Sequence, residues 1–288
     1  MDIKAAKSSA NILDGRHLAR QVRDSLAERI KASGRTINLH AILVGDDGSA
    51  ALYAQNQERM CSQVGIEYRL HSVDVSRGQA GLVELIQLLN ADDQVDAIMM
   101  HMPLPDGFDS ERMQALIDPA KDVEGVNPAN IGNIVYGRRS LVPCTALACM
   151  ELIESTGISL PGARCVIVGA SNIVGKPVAV LLMQAEATVI STNKYTDQLG
   201  AITKTADVLV AAAGVTGLVT AEMVKPGTIV IDVGINRVMD DDGTARTVGD
   251  VDFDSVSQIA GHISPVPGGV GPMTVAMLLK NTVDAAGI

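Results

Sequence analysis

Aromatic residues are nearly missing from this 288-residue chain, which has no Trp, two Phe and four Tyr. A core built on large rings is therefore excluded, and packing has to rest on Ala, Val, Ile, Leu and twelve Met. The methionines read as adaptable core filling and carry no cofactor signal. Basic residues are also scarce, 23 Lys and Arg against 33 Asp and Glu for a net charge of -10. That argues against nucleic acid or an anionic membrane as a general partner, since both need a basic surface to release counterions. The four cysteines, Cys61, Cys144, Cys149 and Cys165, have no C-x-x-C spacing and no histidine at metal-ligand spacing, so no zinc site is expected and they read as reduced thiols. No apolar run approaches the ~18 residues of a membrane span, and Met1 to Ile12 lacks the apolar core of a signal segment. A cytoplasmic location is expected. What remains, 47% hydrophobic and 19% charged residues without repeats or low-complexity tracts, is a globular chain long enough for two ordinary domains.

The chain is organised around residues 165–177, where four apolar residues, Cys165 to Val168, run into Gly169, Ala170, Ser171, Val174, Gly175 and Lys176. The pattern predicts a strand, a tight turn and a helix whose first N–H groups face an anion. It departs from the usual dinucleotide fingerprint, with Ser171 at the middle glycine position and the last glycine displaced by one; alone, such a turn can also bind nothing. Further apolar runs at 187–191, 207–211 and 228–232, separated by helix-length polar segments, predict a parallel sheet. About 20 positions after the glycines a carboxylate would select NAD. This chain instead has Thr192, Asn193 and Lys194 there, which points to NADP, with Lys194 and Lys176 facing the 2′-phosphate unless they are only solvated surface charges.

Before this unit the sequence predicts a helix from Asp14 to a glycine cap at Gly34, with Leu18, Val22, Leu26 and Ile30 on one face. A strand follows at 37–44, then a helix over about 49–64 that carries Tyr53 and Gln57 on one side, a strand at 67–75 and a helix at 82–89. The strand Asp96 to His101 is stopped by Pro103 and Pro105, leaving His101 at the carboxyl end of a buried strand, where ligands collect in open α/β sheets. A short helix at 111–117 precedes the charged turn 119–125, expected to be solvated, and residues 127–137 read as a loop. Pro143 and Thr145 open a helix into the dinucleotide unit. At the other end Ser264 to Pro272 is dense in Pro and Gly, read as backbone brought close to a ligand, with Pro272 at the first position of a last helix. The expected organisation is α/β in two domains: residues 1–145 with 271–288, and a Rossmann-like domain over 146–270.

Together these segments resemble the bifunctional methylenetetrahydrofolate dehydrogenase/methenyltetrahydrofolate cyclohydrolases. The shared motifs are Val44 to Asp46 followed by Tyr53, Pro103 to Pro105, Lys121 to Val123, Pro143 to Thr145, Gly169 to Gly175, Val230 to Asn236, Gly249 to Val251 and Pro265 to Thr274. The resemblance implies a folate-binding N-terminal domain and a Rossmann-like C-terminal one, with a tetrahydrofolate derivative and NADP in the cleft between them, and a homodimer. It implies that Tyr53 stacks on the pterin and that Asp122 and the backbone of Pro267, Gly268 and Gly269 line the folate pocket. By the same likeness Thr145, Gly169, Ala170, Ser171, Val174, Gly175, Lys176, Lys194, Ile235 and Thr274 contact NADP.

Three positions depart from that family's catalytic set. Gln57 stands where the family has lysine, His101 where it has glutamine, and Glu124 where it has the second aspartate of Asp-Val-Asp-Gly. The family's first reaction, hydride transfer from the methylene bridge to NADP, depends chiefly on positioning. Its second, hydrolysis of the methenyl cation to 10-formyltetrahydrofolate, needs protons moved, and Gln57 cannot titrate. Imidazole can, so His101 with Glu124 as its orienting carboxylate is one way hydrolysis survives. The others are a dehydrogenase with weak or absent cyclohydrolase activity, a related enzyme acting on another folate-linked one-carbon adduct, and a folate- and NADP-binding protein without turnover.

Overall fold

The computed structural model describes residues 10–45, 48–138, 141–239 and 243–288, and, in the helix that begins at Gly48, side chains from residue 54 onward. The chain opens with β1 (Asn11–Ile12) and α1 (Gly15–Ser33). Asp14 caps α1, its Oδ1 accepting the N–H groups of Arg16 and His17 at 3.0 and 3.1 Å and so satisfying two donors that the first turn leaves over. Next come β2 (Ile37–Val44), α2 (Gly48–Val64), β3 (Ile66–Val73), α3 (Gly78–Ala91), β4 (Ala97–Met100), α4 (Ser110–Leu116), α5 (Pro128–Val135) and α6 (Cys144–Glu154). The dinucleotide segment supplies β5 (Arg164–Val168), α7 (Gly175–Gln184), β6 (Thr188–Thr192), α8 (Leu199–Thr203), β7 (Val208–Ala211) and β8 (Ile229–Asp232). A hairpin of β9 (Asn236–Met239) and β10 (Ala245–Val248), then α9 (Phe253–Val256), β11 (His262–Ile263) and α10 (Val270–Ala285), complete the chain.

Backbone packing divides the chain into two units. The first comprises the segment ending at Ala19 together with Thr145–Val275. Its sheet is six-stranded, in the order β1-β11-β8-β7-β5-β6, and all its pairings are parallel. Because helices cover such a sheet, its strands read as unbroken apolar runs, and Val166, Val168, Leu209, Ala211, Val230 and Ile263 form one core. Residues 10–19 belong here and not with the N-terminal domain, where the sequence pattern puts them, because β1 extends this sheet by pairing with β11.

The second unit comprises Arg20–Cys144 and Ala276–Ile288. Its three strands lie parallel in the order β3-β2-β4. Ile42, Val44, Val73, Ile98 and Met100 on one face pack against Leu82, Ile86 and Leu89 of α3 and Met113 of α4. Asn281 of α10 ties the C-terminal helix in, its Nδ2 donating to the Val123 and Val142 carbonyls at 2.8 and 2.9 Å.

Three local expectations change. Residues 128–135 are helical, because Asn127 caps the segment with a 2.8 Å bond from the Ala129 N–H and Pro128 enters at the first turn. The last helix begins at Val270, so Pro272 is its third residue. Its missing N–H still costs nothing there, since the first turn's donors have no intrahelical acceptor. The charged turn 119–125 is not a solvated loop. Lys121 Nζ closes the C-terminus of α3 with bonds to the carbonyls of Leu89, Asn90 and Asp92 at 3.1, 2.9 and 2.8 Å, and Asp122 is 1% exposed.

Candidate active site

In the first unit the turn after β5 is built around two positions that admit no side chain. A Cβ on Gly169, whose φ is +110°, would sit 2.1 Å from the Ala212 carbonyl oxygen, and one on Gly175 would sit 2.0 Å from that of Gly169. Only glycine lets strand, turn and helix close to this distance. The helix start differs from the expectation of several free donors. Ser171 Oγ accepts the N–H groups of Val174 and Gly175 at 3.2 and 3.4 Å, so the serine at the middle glycine position works as a cap. Ser171, Asn172 and Ile173 are exposed, and this uncovered turn on a glycine-closed strand end fits a dinucleotide phosphate. Lys176 bonds Asn172 Oδ1 at 2.7 Å. Lys194 follows the end of β6, its Nζ 4.9 Å from the centre of the exposed Tyr195 ring.

Of the other expected cofactor contacts, Ile235 is 76% exposed beyond β8. Thr145 lies in the first turn of α6, and Thr274 Oγ1 donates to the Val270 carbonyl at 3.1 Å. The motifs around Ile235 turn out to be a carboxylate clasp. Asp232 accepts the N–H groups of Gly234, Asp250 and Val251 at 2.9, 2.9 and 3.0 Å. Asp250 in turn accepts those of Ala213 and Gly214 at 2.6 and 2.8 Å and the Asn236 amide at 2.9 Å. Burial pushes the Asp232 carboxyl up to about 6, against the pull of those bonds. The flanking glycines make room for the clasp, since a Cβ on Gly249 would lie 1.8 Å from Asp232 Oδ2 and one on Gly234 would lie 2.3 Å from Asp250 Oδ1.

The Pro/Gly run has a similar internal reason. A Cβ on Gly269 would meet the Pro265 carbonyl oxygen at 2.7 Å, and one on Gly15 would meet the Gly269 carbonyl oxygen at 1.8 Å. The start of α1 therefore packs on this turn, which accounts for Gly269 without a ligand. Pro267 is exposed at the tip and Gly268 has φ +119°.

In the second unit His101 and Glu124 meet the end of β4, and the other sequence-selected residues lie on α2 and before α5. Gln57, on α2, is 4% exposed, and α2 packs on β3 and β2. The side chain of Tyr53 lies outside the described residues. His101 is 5% exposed and extends the β-ladder, its N–H donating to the Ile42 carbonyl at 2.8 Å. Burial holds its imidazole below the usual histidine range. Tyr68 Oη on β3 meets His101 Nε2 at 3.1 Å. Glu124, expected as the orienting group, accepts the Met100 N–H at 3.3 Å, one residue before His101, and burial pushes its carboxyl up to about 7. Asp122 Oδ2 accepts the Asn127 N–H and the Asn130 amide at 2.7 and 3.0 Å, bracing the entry to α5. Burial raises its carboxyl as well.

Sequence reasoning misses Tyr68, which lies in none of the shared motifs. Its only signal is parity. Leu39 pairs with both Tyr68 and Ala97, so Tyr68 and, two alternations along, His101 point from the same face of the sheet.

Comparison with known proteins assigns both halves of the chain. Residues 13–124 match the family described as Tetrahydrofolate dehydrogenase/cyclohydrolase, catalytic domain, and residues 143–288 match its NAD(P)-binding domain. The bifunctional protein FolD of Moorella thermoacetica is 47% identical over 280 residues, covering 96% of this chain and 99% of that protein. The crystal structure of the bifunctional FolD enzyme from Campylobacter jejuni superposes with a TM-score of 0.91 at 41% identity, covering 96% of this chain and 99% of that one. That of the Trypanosoma brucei dehydrogenase-cyclohydrolase, complexed with NADP and an inhibitor, gives 0.89 at 35% identity, covering 96% and 97%. No described helix is long and apolar enough to cross a membrane. With both domains matched and identity sustained from end to end, this chain belongs to the tetrahydrofolate dehydrogenase/cyclohydrolase family.

Proposed function

We propose that the chain oxidises 5,10-methylenetetrahydrofolate with NADP and that hydrolysis of the methenyl product passes to His101. The observation that carries this reading is the contrast between the two units, each taken by itself: the glycine-closed cradle of the first is intact, whereas the titratable group of the second stands at the end of β4 and not at position 57. NADP, when bound, supplies the hydride acceptor. Gly169 and Gly175 keep the strand–turn–helix closed, the turn from the half-buried Ala170 to the exposed Ser171 takes the phosphates, and Lys194 favours the 2′-phosphate. Val174, Lys176, Ile235, Thr145 and Thr274 complete the dinucleotide contacts. In the second unit Tyr53 and Asp122 serve the folate. Hydride transfer asks of these residues orientation only.

Hydrolysis asks for more. Water must lose a proton as it attacks the methenyl carbon, and a neutral imidazole is a competent acceptor near neutral pH, where amide side chains are not. Glu124, bonded to the Met100 amide and raised to about 7 by burial, is a second group of the unit able to hold or release a proton. The four cysteines are buried free thiols, in keeping with a reducing cytoplasm as the place of work, and the family likeness supports a homodimer.

Purified protein supplied with methylenetetrahydrofolate and NADP should form NADPH; absence of NADPH across the pH range removes the dehydrogenase reading. Methenyl hydrolysis should fall in His101→Ala, and unchanged hydrolysis removes the role of His101.

A further inference from the structure

We infer that Tyr68 is a positioning residue for hydrolysis, holding the His101 imidazole by its Nε2 edge and keeping it titratable. The inference rests on the reading of His101 given above and extends it to a residue outside the shared motifs. Its basis is the 3.1 Å contact between Tyr68 Oη and His101 Nε2. The parallel register makes that contact possible, bringing two residues 33 positions apart to the same face of β3 and β4.

The chemical nature of the partner matters. A carboxylate on a histidine ring favours the imidazolium over the neutral ring, and so raises the pKa. A phenol is both donor and acceptor. It donates to Nε2 when the ring proton sits on Nδ1, and it accepts from Nε2–H in the other tautomer and in the imidazolium. The bond therefore persists, with its polarity reversed, as the ring gains or loses a proton. Burial already biases His101 towards the neutral form, and Tyr68 fixes the ring plane without cancelling that bias. The carboxylate nearest in the chain is committed elsewhere, since Glu124 is bonded to the Met100 amide with Asp122 behind it. The result is a buried imidazole of fixed orientation whose protonation remains free to change during a reaction, at a position where the family likeness places a non-titrating amide.

Tyr68→Phe removes the hydroxyl and keeps the ring. The expected result is a fall in methenyl hydrolysis of about three- to tenfold, the usual worth of one hydrogen bond, with a displaced His101 limb in the pH–rate profile. KM for NADP and the rate of hydride transfer should not move. The ¹⁵N resonances of the five histidines, assigned to His101 by its loss in His101→Gln, should show a changed tautomer ratio in Tyr68→Phe. In the His101→Gln background the Tyr68→Phe change should be silent. If His101→Gln lowers hydrolysis while Tyr68→Phe leaves both the profile and the imidazole resonances unmoved, the role of Tyr68 is overturned and that of His101 stands. If His101→Gln leaves hydrolysis intact, the reading beneath it fails first. Should wild-type hydrolysis be too slow to follow, the tautomer ratio alone decides.

Discussion

The dinucleotide turn and the end of β4 are both small sites at strand ends, yet they are built in opposite ways. Around Gly169 and Gly175 the constraint is backbone against backbone at distances that exclude any Cβ, and the side chains are caps or exposed cations. Around His101 the constraint runs through side chains: the imidazole that follows β4 meets a phenol from β3, and a carboxyl from the loop after α4 holds the Met100 amide. A backbone-built site tolerates almost no change at its glycines and much change elsewhere. A side-chain-built site can exchange its chemistry while the strands that carry it stay put.

Substitution should break this contrast most severely at the cradle. Gly175→Val places atoms inside the Gly169 carbonyl, so strain beyond the usual ~1–3 kcal/mol of overpacking is expected, with NADP binding abolished. Calorimetric titration together with the melting temperature reads this, and a variant that still binds NADP would show that the turn yields. Next in size, His101→Ala should reduce methenyl hydrolysis by roughly 10²- to 10⁴-fold and slow hydride transfer far less. Equal losses in both rates would mean that His101 positions folate and does not move protons.

Gln57→Lys tests whether the arrangement usual in the family can be restored. Burial at position 57 would hold the new amine below its ordinary pKa, which suits acid-base work. Hydrolysis should rise about tenfold or more, roughly 1.4 kcal/mol in barrier, and no gain would mean that the pocket has been remodelled around the amide.

Glu124 gives a pH signature. Its folded carboxyl is raised from an ordinary 4.5 to about 7, so its contribution is fully present below the ordinary value and is lost as pH rises through about 7. Relative to Glu124→Gln, the native protein should lose roughly 1 to 3 kcal/mol across that window, measured by urea unfolding at several pH values. A parallel pair of curves would refute the raised carboxyl. His40 works in the opposite direction. Burial and its bonded neighbour His71 lower it to about 4, so its contribution is present above its ordinary 6.5 and fades as pH falls. Smallest in effect, Lys194→Ala should cut the preference for NADP over NAD by about tenfold, roughly 1.4 kcal/mol, read from the two KM values. An unchanged ratio would place the 2′-phosphate elsewhere.

Local chemistry that repeats at a fixed spacing is legible in the chain itself. The apolar runs 165–168, 207–211 and 228–232 announce a parallel sheet because strands buried on both faces have no polar side to show. Asp14 and Gly34 mark the limits of α1 because capping is a matter of neighbours in sequence. Residues whose role depends on distant partners are misread or overlooked. Lys121 looks like a solvated charge and is the C-terminal closure of α3; Gly249 and Gly269 look like motif filler or ligand-facing backbone and are the clearance around Asp232 and Pro265.

By itself the sequence determined the α/β class, the cradle and its preference for NADP, and the three departures at Gln57, His101 and Glu124, all of which lie within single stretches of chain. Only the tertiary structure decided what those departures face. The pairing of β3 with β2 and of β2 with β4 set a phenol against an imidazole, and burial moved their neighbours' protonation. Strand register and desolvation are properties of segments brought together from far apart, and no local pattern encodes them.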